Sequence, residues 1–366
     1  MKIKRVIFIC NYAANYGGNF LASLEYLSSF LYNENICVEY IFPVSAQGKC
    51  WNADLSGFKI HYCTMEASSL KHFLKGYLQN GDLIHTHFLN ERTLLGIKNS
   101  ISFKKNVKVI EHEHMDLDPH KGKIYEFAKK VFMFTNFLKM GHIAVSPSVY
   151  KRLRSIYGAK RVFLVENAIS TKRLDEKSTD PFHKDDRKQL TIMGTDYTRK
   201  GVDIAIKAIS QNSELSNLVN LNVVTHTVNE TRELIRDQFG TRVFKFVSVI
   251  PTDTRVQDFY NNSVAFLSPS RHEAFGYANV EAAYCGTQVI ASDVPGQNTL
   301  KKIPYISWIP SENAKKLSQA LLSVINKPQK VIEKEACENK KYIIKNYSLD
   351  DWSKKVYEVY RKVTEN

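Results

Sequence analysis

The stretch Val264–Gly296 restricts the possible fold more than any other part of the chain. It opens on an apolar run, Val264 to Leu267, short enough for a buried parallel strand and halted by Ser268-Pro269-Ser270. Phe275 to Tyr284 has helical character and stops just before Gly286, a residue suited to the left-handed position that closes a helix. Val289-Ile290-Ala291 then begins another apolar run. Strand, loop, helix and strand in this order make a βαβ unit. Its loop lies at the carboxyl end of a strand, where open α/β sheets take their ligands.

Two carboxylates flank the start of that helix, Glu273 in the loop and Glu281 eight positions later. Between them, Gly276 and the N–H groups of the first turn form a positive helix start suited to a phosphate. Carboxylates bind phosphate poorly but accept hydrogen bonds from vicinal hydroxyls, as on ribose or a hexose. The arrangement suits a nucleotide-sugar, with hydroxyls on the glutamates and the diphosphate near Phe275, Gly276 and Tyr277. A plainer reading leaves both glutamates solvated, the ordinary condition of acidic side chains.

The same alternation runs through the rest of the chain. Residues 4–10 predict a first strand, followed by a loop with Gly17-Gly18 and a helix carrying Phe20, Leu21, Leu24, Leu27 and Leu31 at helical spacing. Strands are predicted near 37–42, 58–63, 83–87, 107–111 and 143–145, with helical stretches between them, which indicates a parallel doubly wound sheet. Residues 170–188 are polar and aperiodic, and predict a linker. Alternation resumes at Leu190–Met193, with further strands at 221–224 and 243–249 and helices at 229–238 and 254–261. Leu349 to Val363 carries Trp352, Val356, Val359 and Tyr360 at helical spacing.

At 366 residues the chain can hold two domains of ordinary size. No stretch reaches the roughly 20 apolar residues of a spanning helix, and the apolar run at the N-terminus is too short for a signal peptide. The six cysteines show no Cys-x-x-Cys spacing, which predicts reduced, buried thiols in a cytoplasmic protein and neither a disulfide frame nor a zinc site. Net charge is +14, and residues 1–168 hold about 22 Lys and Arg against 13 Asp and Glu, or +9 of that total. Such a bias favours an anionic partner: a membrane surface, a phosphorylated lipid or a nucleic acid. No nucleic-acid recognition motif accompanies it, so nucleic acid is not expected as a partner.

Residues 111–120, Glu-His-Glu-His-Met-Asp-Leu-Asp-Pro-His, are chemically dense. Histidines and carboxylates are metal ligands, yet their spacing matches no zinc or calcium pattern, and no metal is expected. Asp116-Leu117-Asp118 also mimics a metal-binding Asp-x-Asp, a triplet common by chance, and the third reading is a strand end lining a cleft. Lys121–Leu138 predicts a helix with Lys129, Lys130 and Lys139 beside Phe127, Phe132, Phe134 and Phe137. It suits an anionic membrane surface, or a domain helix with its aromatics in the core. Lys98, Lys104, Lys105 and Lys108 add a second basic patch. In Gly194-Thr195-Asp-Tyr-Thr-Arg199-Lys200-Gly201, a strand end leads to two cations at a helix start, a natural diphosphate clamp.

The punctuation of the 264–296 stretch closely resembles the signature of retaining glycosyltransferase family 4, the glycosyl transferases group 1. Ser-Pro-Ser, Glu-Ala-Phe-Gly, Glu-Ala-Ala and Cys-Gly-Thr-Gln-Val-Ile-Ala-Ser-Asp all fall in order. Glu273 and Glu281 match the two glutamates that this family separates by seven residues. Gly17 and Gly18 match a Gly-Gly near the donor phosphates, and Lys200 matches a phosphate-binding lysine. His114 falls on a histidine near the donor sugar, with His112 as the other assignment, while His85 and His87 resemble the preceding strand end. Thr195 departs from the pattern by standing where the family has an arginine, and Arg199 is the candidate replacement. The resemblance implies the GT-B fold, two Rossmann-like doubly wound α/β domains facing across a cleft. Residues 1–169 would bind the acceptor, with helix 347–366 crossing back to them, and 189–346 would bind the nucleotide-sugar.

The implied activity is retaining hexosyl transfer without a metal or other cofactor. The donor would be a nucleotide-sugar, a UDP-sugar first, and the acceptor a glycan, lipid-linked, in cell-surface polysaccharide synthesis. Glu273, Lys200, Arg199 and His114 would act at the reacting centre. Gly17, Gly18, Phe275, Gly276, Tyr277 and Glu281 would hold the donor. Location would be cytoplasmic, at the inner face of the membrane. The rival readings are a non-catalytic GT-B subunit that supports a partner transferase and a sugar-nucleotide epimerase on the same fold.

Overall fold

The computed structural model describes residues 3–101, 106–114, 127, 131–135, 137, 139–182, 186–252 and 255–365. Asp116, Asp118 and His120, Lys104 and Lys105, and Lys129 and Lys130 with most of the 121–138 stretch lie outside these. The chain divides into two compact units, residues 1–168 with 349–366, and residues 169–348.

The first unit is a seven-stranded sheet of β1 (Arg5–Cys10), β2 (Cys37–Pro43), β3 (Lys59–Cys63), β4 (Asp82–His87), β5 (Lys108–Glu113), β6 (Gly141–Ala144) and β7 (Val162–Leu164). The order is β3-β2-β1-β4-β5-β6-β7, and every pairing is parallel. Strand order reverses between β1 and β4, so the loops after these two strands open at a topological switch point. Helix Gly18–Asn33 presents Leu21, Leu24, Leu27 and Leu31 to the core, as their spacing predicts. Helix Leu349–Glu365 adds Trp352, Val356, Val359, Tyr360 and Val363 to that same core. Phe137 is buried, but Phe127, Val131, Phe132 and Phe134 are exposed, so most of that aromatic run does not serve the core.

The second unit is a six-stranded sheet of β8 (Lys188–Met193), β9 (Val219–Thr225), β10 (Val247–Pro251), β11 (Ala265–Ser268), β12 (Gln288–Ser292) and β13 (Ile306–Ile309). It is again all parallel, in the order β10-β9-β8-β11-β12-β13. Its switch point lies between β8 and β11, which brings the loops at 194–201 and 269–276 side by side. The predicted strand at 243–249 begins late, because Thr241–Lys245 forms a 3-10 turn before β10. Strand β13 has no counterpart in the sequence-based expectations. All six cysteines are free, but only Cys10 is buried; Cys37, Cys50 and Cys337 are exposed. No helix among the described residues is long and apolar enough to cross a membrane.

Candidate functional site

In the second unit, the polar groups converge at the switch point between β8 and β11. The Lys200 Nζ donates to Glu273 Oε1 at 2.5 Å, and Arg199 Nη1 lies 3.6 Å from the other carboxylate oxygen. Ser270 donates a third contact to Glu273 at 3.1 Å. Burial pushes the Glu273 carboxyl up, but Lys200 and Arg199 outweigh it and hold the group below its ordinary value. Glu273 is therefore an anion at neutral pH despite being almost wholly buried.

Main-chain and ionic latches fix the two loops. Arg271 N–H donates to the Arg199 carbonyl at 2.8 Å. The Arg271 guanidinium forks onto Asp203 at 2.8 and 2.7 Å and reaches the Thr198 carbonyl at 2.6 Å. Gly201, at φ +71°, lies so close to Pro269 that an added Cβ would stand 2.2 Å from its carbonyl oxygen. Glycine there satisfies both the left-handed backbone and the approach of the loops. Asp196 caps the short helix Tyr197–Lys200 and holds Arg199 Nε at 2.8 Å. Arg199 is thus oriented toward Glu273 by its own loop.

Gly276, at φ +95°, precedes the helix Tyr277–Tyr284. Asn279 in its first turn is wholly buried, and neither its amide oxygen nor its nitrogen has a protein partner among the described residues. With Lys200, Ser270, Glu273 and Gly276 it lines a cavity of about 20 Å³ between the loops, room for one water-sized group. A nucleotide does not fit inside such a space, and would have to lie across its mouth. A wider cavity, about 1000 Å³, is lined by Asn220, Asn222, Arg232 and Arg236 and contains none of the candidate site residues.

Glu281 is not solvated either. One carboxylate oxygen is bound by Arg173 Nη2, and the other accepts from the Tyr260 hydroxyl at 3.0 Å. A ribose would share this carboxylate through its remaining lone pairs. Phe275 is buried against Tyr277 and Tyr347.

In the first unit, Gly17 and Gly18 begin the helix after β1, and Gly18 takes φ +56°. The loop before them is fixed by Tyr12, whose hydroxyl donates to the Tyr16 carbonyl at 2.8 Å, and by Trp51 Nε1, which donates to the Ala14 carbonyl at 3.0 Å. His114 follows β5 and stacks on Phe88 at 4.4 Å between ring centres. Its Nε2 lies 2.8 Å from His87 Nδ1. Burial pushes the His114 imidazole down to about 3, so it is a neutral hydrogen-bonding group and not a cation at pH 7.

The structure brings Arg199, Lys200, Glu273 and Gly276 together, and leaves Glu281 tied to Arg173 and Tyr260. Gly17, Gly18 and His114 belong to the other unit. Sequence reasoning did not single out Arg173, Tyr260, Arg271 or Asn279. Arg173, Tyr260 and Arg271 act through partners distant in the chain, and no local pattern marks such pairings; Asn279 is singled out only by its burial beside the cavity.

Residues 175–347, most of the second unit, match the family model described as Glycosyl transferases group 1. A D-inositol 3-phosphate glycosyltransferase from Xylanimonas cellulosilytica is 32% identical over 103 residues, 28% of this chain and 25% of the relative. The match thus spans about a quarter of that relative's length. Among solved structures, a glycosyltransferase from Rickettsia africae ESF-5 aligns at TM-score 0.76 and 15% identity over 100% of both chains. Anabaena Alr3699/HepE in complex with UDP and glucose aligns at TM-score 0.78 and 14% identity, over 98% of this chain and 99% of that one. The second unit carries the sequence signature of glycosyl transferases group 1. The architecture of two parallel-sheet Rossmann-like domains is the one found in GT-B glycosyltransferases.

Proposed function

We propose that the protein is a retaining hexosyltransferase of family 4 that uses a nucleotide-sugar, a UDP-sugar first, without a metal ion. The observation that carries this reading is the Lys200–Glu273–Arg199 cluster at the switch point of a sheet whose sequence matches group 1 glycosyl transferases. The bond between the anomeric carbon and the diphosphate oxygen breaks, and charge develops on that oxygen. Lys200, Arg199 and the helix start at Gly276–Tyr277 supply positive charge there. The acceptor oxygen bonds to the same face of the sugar, and its proton passes to the leaving phosphate. No protein nucleophile is required.

Glu273 is assigned to the hydroxyls of the transferred sugar, Glu281 to the ribose, His114 to the sugar and Gly17-Gly18 to the donor phosphates. Residues 189–346 hold the donor and residues 1–169 the acceptor. The acceptor is a lipid-linked glycan in cell-surface polysaccharide synthesis, met at the cytoplasmic face of a membrane. Support comes from the surplus positive charge of residues 1–168 and from exposed Phe127, Val131 and Phe134, which are 70%, 47% and 47% exposed.

A second reading, a non-catalytic subunit, is favoured by Thr195 at the position of an expected arginine. A panel of radiolabelled nucleotide-sugars, followed for hydrolysis by the purified chain, separates the two. Hydrolysis of one donor, lost in Lys200→Ala, supports the transferase. Binding of a nucleoside diphosphate without hydrolysis or transfer of any donor supports the subunit.

A further inference from the structure

Four histidines crowd one face of the first sheet at the carboxyl ends of β4 and β5. The register pairs His87 with His112, and side chains two apart along a strand share a face, so His85, His87, His112 and His114 stand together. Glu111 and Glu113 alternate to the opposite face, where they meet His142 at 3.1 Å and Arg152 at 3.6 Å. Phe8, Phe20 and Trp352 pack against the imidazoles, and Cys10, paired with His87, shares their face. His85, His87 and His112 are only 0%, 1% and 2% exposed.

The hydrogen bonds account for only part of this array. His85 Nδ1 lies 2.6 Å from the Tyr360 hydroxyl, and its Nε2 lies 3.2 Å from His112 Nδ1. His87 Nδ1 is bonded to His114, as above. The Nε2 atoms of His87 and His112 have no protein partner among the described residues. Buried polar atoms seldom go without one, and two in one cluster ask for a shared occupant. One nitrogen from each of His85, His87 and His112 lies within 4.8 Å of the others.

We propose that His85, His87 and His112 bind a divalent transition-metal ion of the zinc type through three imidazole nitrogens. Zinc takes nitrogen at about 2.0–2.1 Å, so small ring rotations must draw the three nitrogens inward. His85 Nε2 turns from His112 to the ion, and His87 and His112 present Nε2. Metal-bound histidines commonly use the far nitrogen in a hydrogen bond that fixes ring and tautomer. Tyr360 does this for His85, and His114 for His87. An all-imidazole set without carboxylates selects zinc, cobalt, nickel or copper over magnesium or calcium. The ion ties Tyr360 of the last helix to β4 and β5 within the first unit. It takes no part in stabilising the leaving diphosphate, so its removal leaves transfer intact and lowers thermal stability.

The test uses untagged, metal-stripped full-length protein titrated with cobalt(II), followed by the visible absorption of four-coordinate cobalt, with zinc as competitor. The expected result is one cobalt per chain, displaced by zinc, absent in His87→Gln and unchanged in the surface variants His72→Gln and His226→Gln. Should His87→Gln not fold, Tyr360→Phe decides, because it keeps all three ligands and removes one outer partner. Tyr360→Phe is expected to keep the stoichiometry and bind about 10–100-fold more weakly. No four-coordinate signal in the wild type overturns the proposal, as does a signal that persists in folded His87→Gln. Unchanged affinity in Tyr360→Phe likewise counts against it.

Discussion

Gly296→Ala gives the sharpest test of how Glu273 is held. A Cβ added at Gly296 would stand 1.4 Å from the Glu273 carbonyl oxygen, 2.4 Å from its carbonyl carbon and 3.0 Å from Ala274 Cα. The contact is with main chain, so no side-chain rotation relieves it. Reaching even a 3.0 Å separation requires the two backbones to part by about 1.6 Å. Overpacking of this kind costs about 1–3 kcal/mol, and a unit of this size loses about 2–4 °C of Tm per kcal/mol. The displaced segment carries Glu273 itself, whose carboxylate meets Lys200 at 2.5 Å. A shift of about 1 Å in a reacting group can cost 100-fold in rate, so turnover should fall at least that far. Gly76→Ala is the control, since nothing lies within 4 Å of its added Cβ and it sits in the helix Ala67–Tyr77. It should gain about 0.5–1 kcal/mol. Thermal unfolding and release of nucleoside diphosphate from the donor are the two readouts. Wild-type Tm and turnover in Gly296→Ala would refute the idea that this contact positions Glu273.

Glu281→Ala should weaken nucleoside diphosphate affinity by about 10–100-fold, the loss of a charge-assisted hydrogen bond of about 1.5–3 kcal/mol. It should also destabilise the fold, by up to about 3–5 kcal/mol, by leaving the largely buried Arg173 guanidinium without its carboxylate. Calorimetry showing unchanged affinity in the folded variant would remove the ribose assignment. Glu273→Ala should instead reduce turnover more than nucleotide affinity, and an equal loss of affinity in both variants would merge the two roles. Because the folded carboxyl of Glu273 is held below its unfolded value, its contribution is full above about pH 4.5 and disappears as pH falls through the folded value. The stability gap between wild type and Glu273→Gln should therefore stay constant from neutral pH to about 5 and close below 4.5; a gap that closes near pH 6 contradicts this. Activity should survive a strong chelator, and loss restored by manganese or magnesium would show that Lys200 and Arg199 do not suffice. Binding to anionic vesicles should weaken with salt and fall when Lys104, Lys105, Lys129 and Lys130 become Glu, at about 1 kcal/mol per residue. A protein indifferent to such vesicles at low salt would end the lipid-acceptor reading and leave the transferase reading standing.

Apolar runs and their punctuation determined the class of fold. Short runs at 4–10, 190–193 and 264–267, each followed by a helical stretch, sufficed for two parallel α/β sheets, because burial on both faces demands continuous apolar strands. Strand β13 and the late start of β10 were not legible: Ile306-Ser-Trp-Ile309 is broken by Ser307 and lacks the continuous apolar run that marked the other short strands. The glutamate pair and the Arg-Lys-Gly turn could likewise be found along the chain, since each is a local pattern. That Lys200 lies against Glu273 is a fact of strand order. β8 and β11 are neighbours at the point where the sheet reverses, and nothing in either loop encodes that adjacency. The environment of Glu281 was decided in the same way. Its helix faces Tyr260 and the segment bearing Arg173, so a residue that reads as an exposed acid is a buried, ion-paired one. The four histidines were visible as two pairs on separate strands, and only the β4–β5 register and the return of Tyr360 on the last helix made them one cluster. Periodicity is a property of neighbours along the chain, whereas charge pairing and ligand sets are properties of neighbours in space.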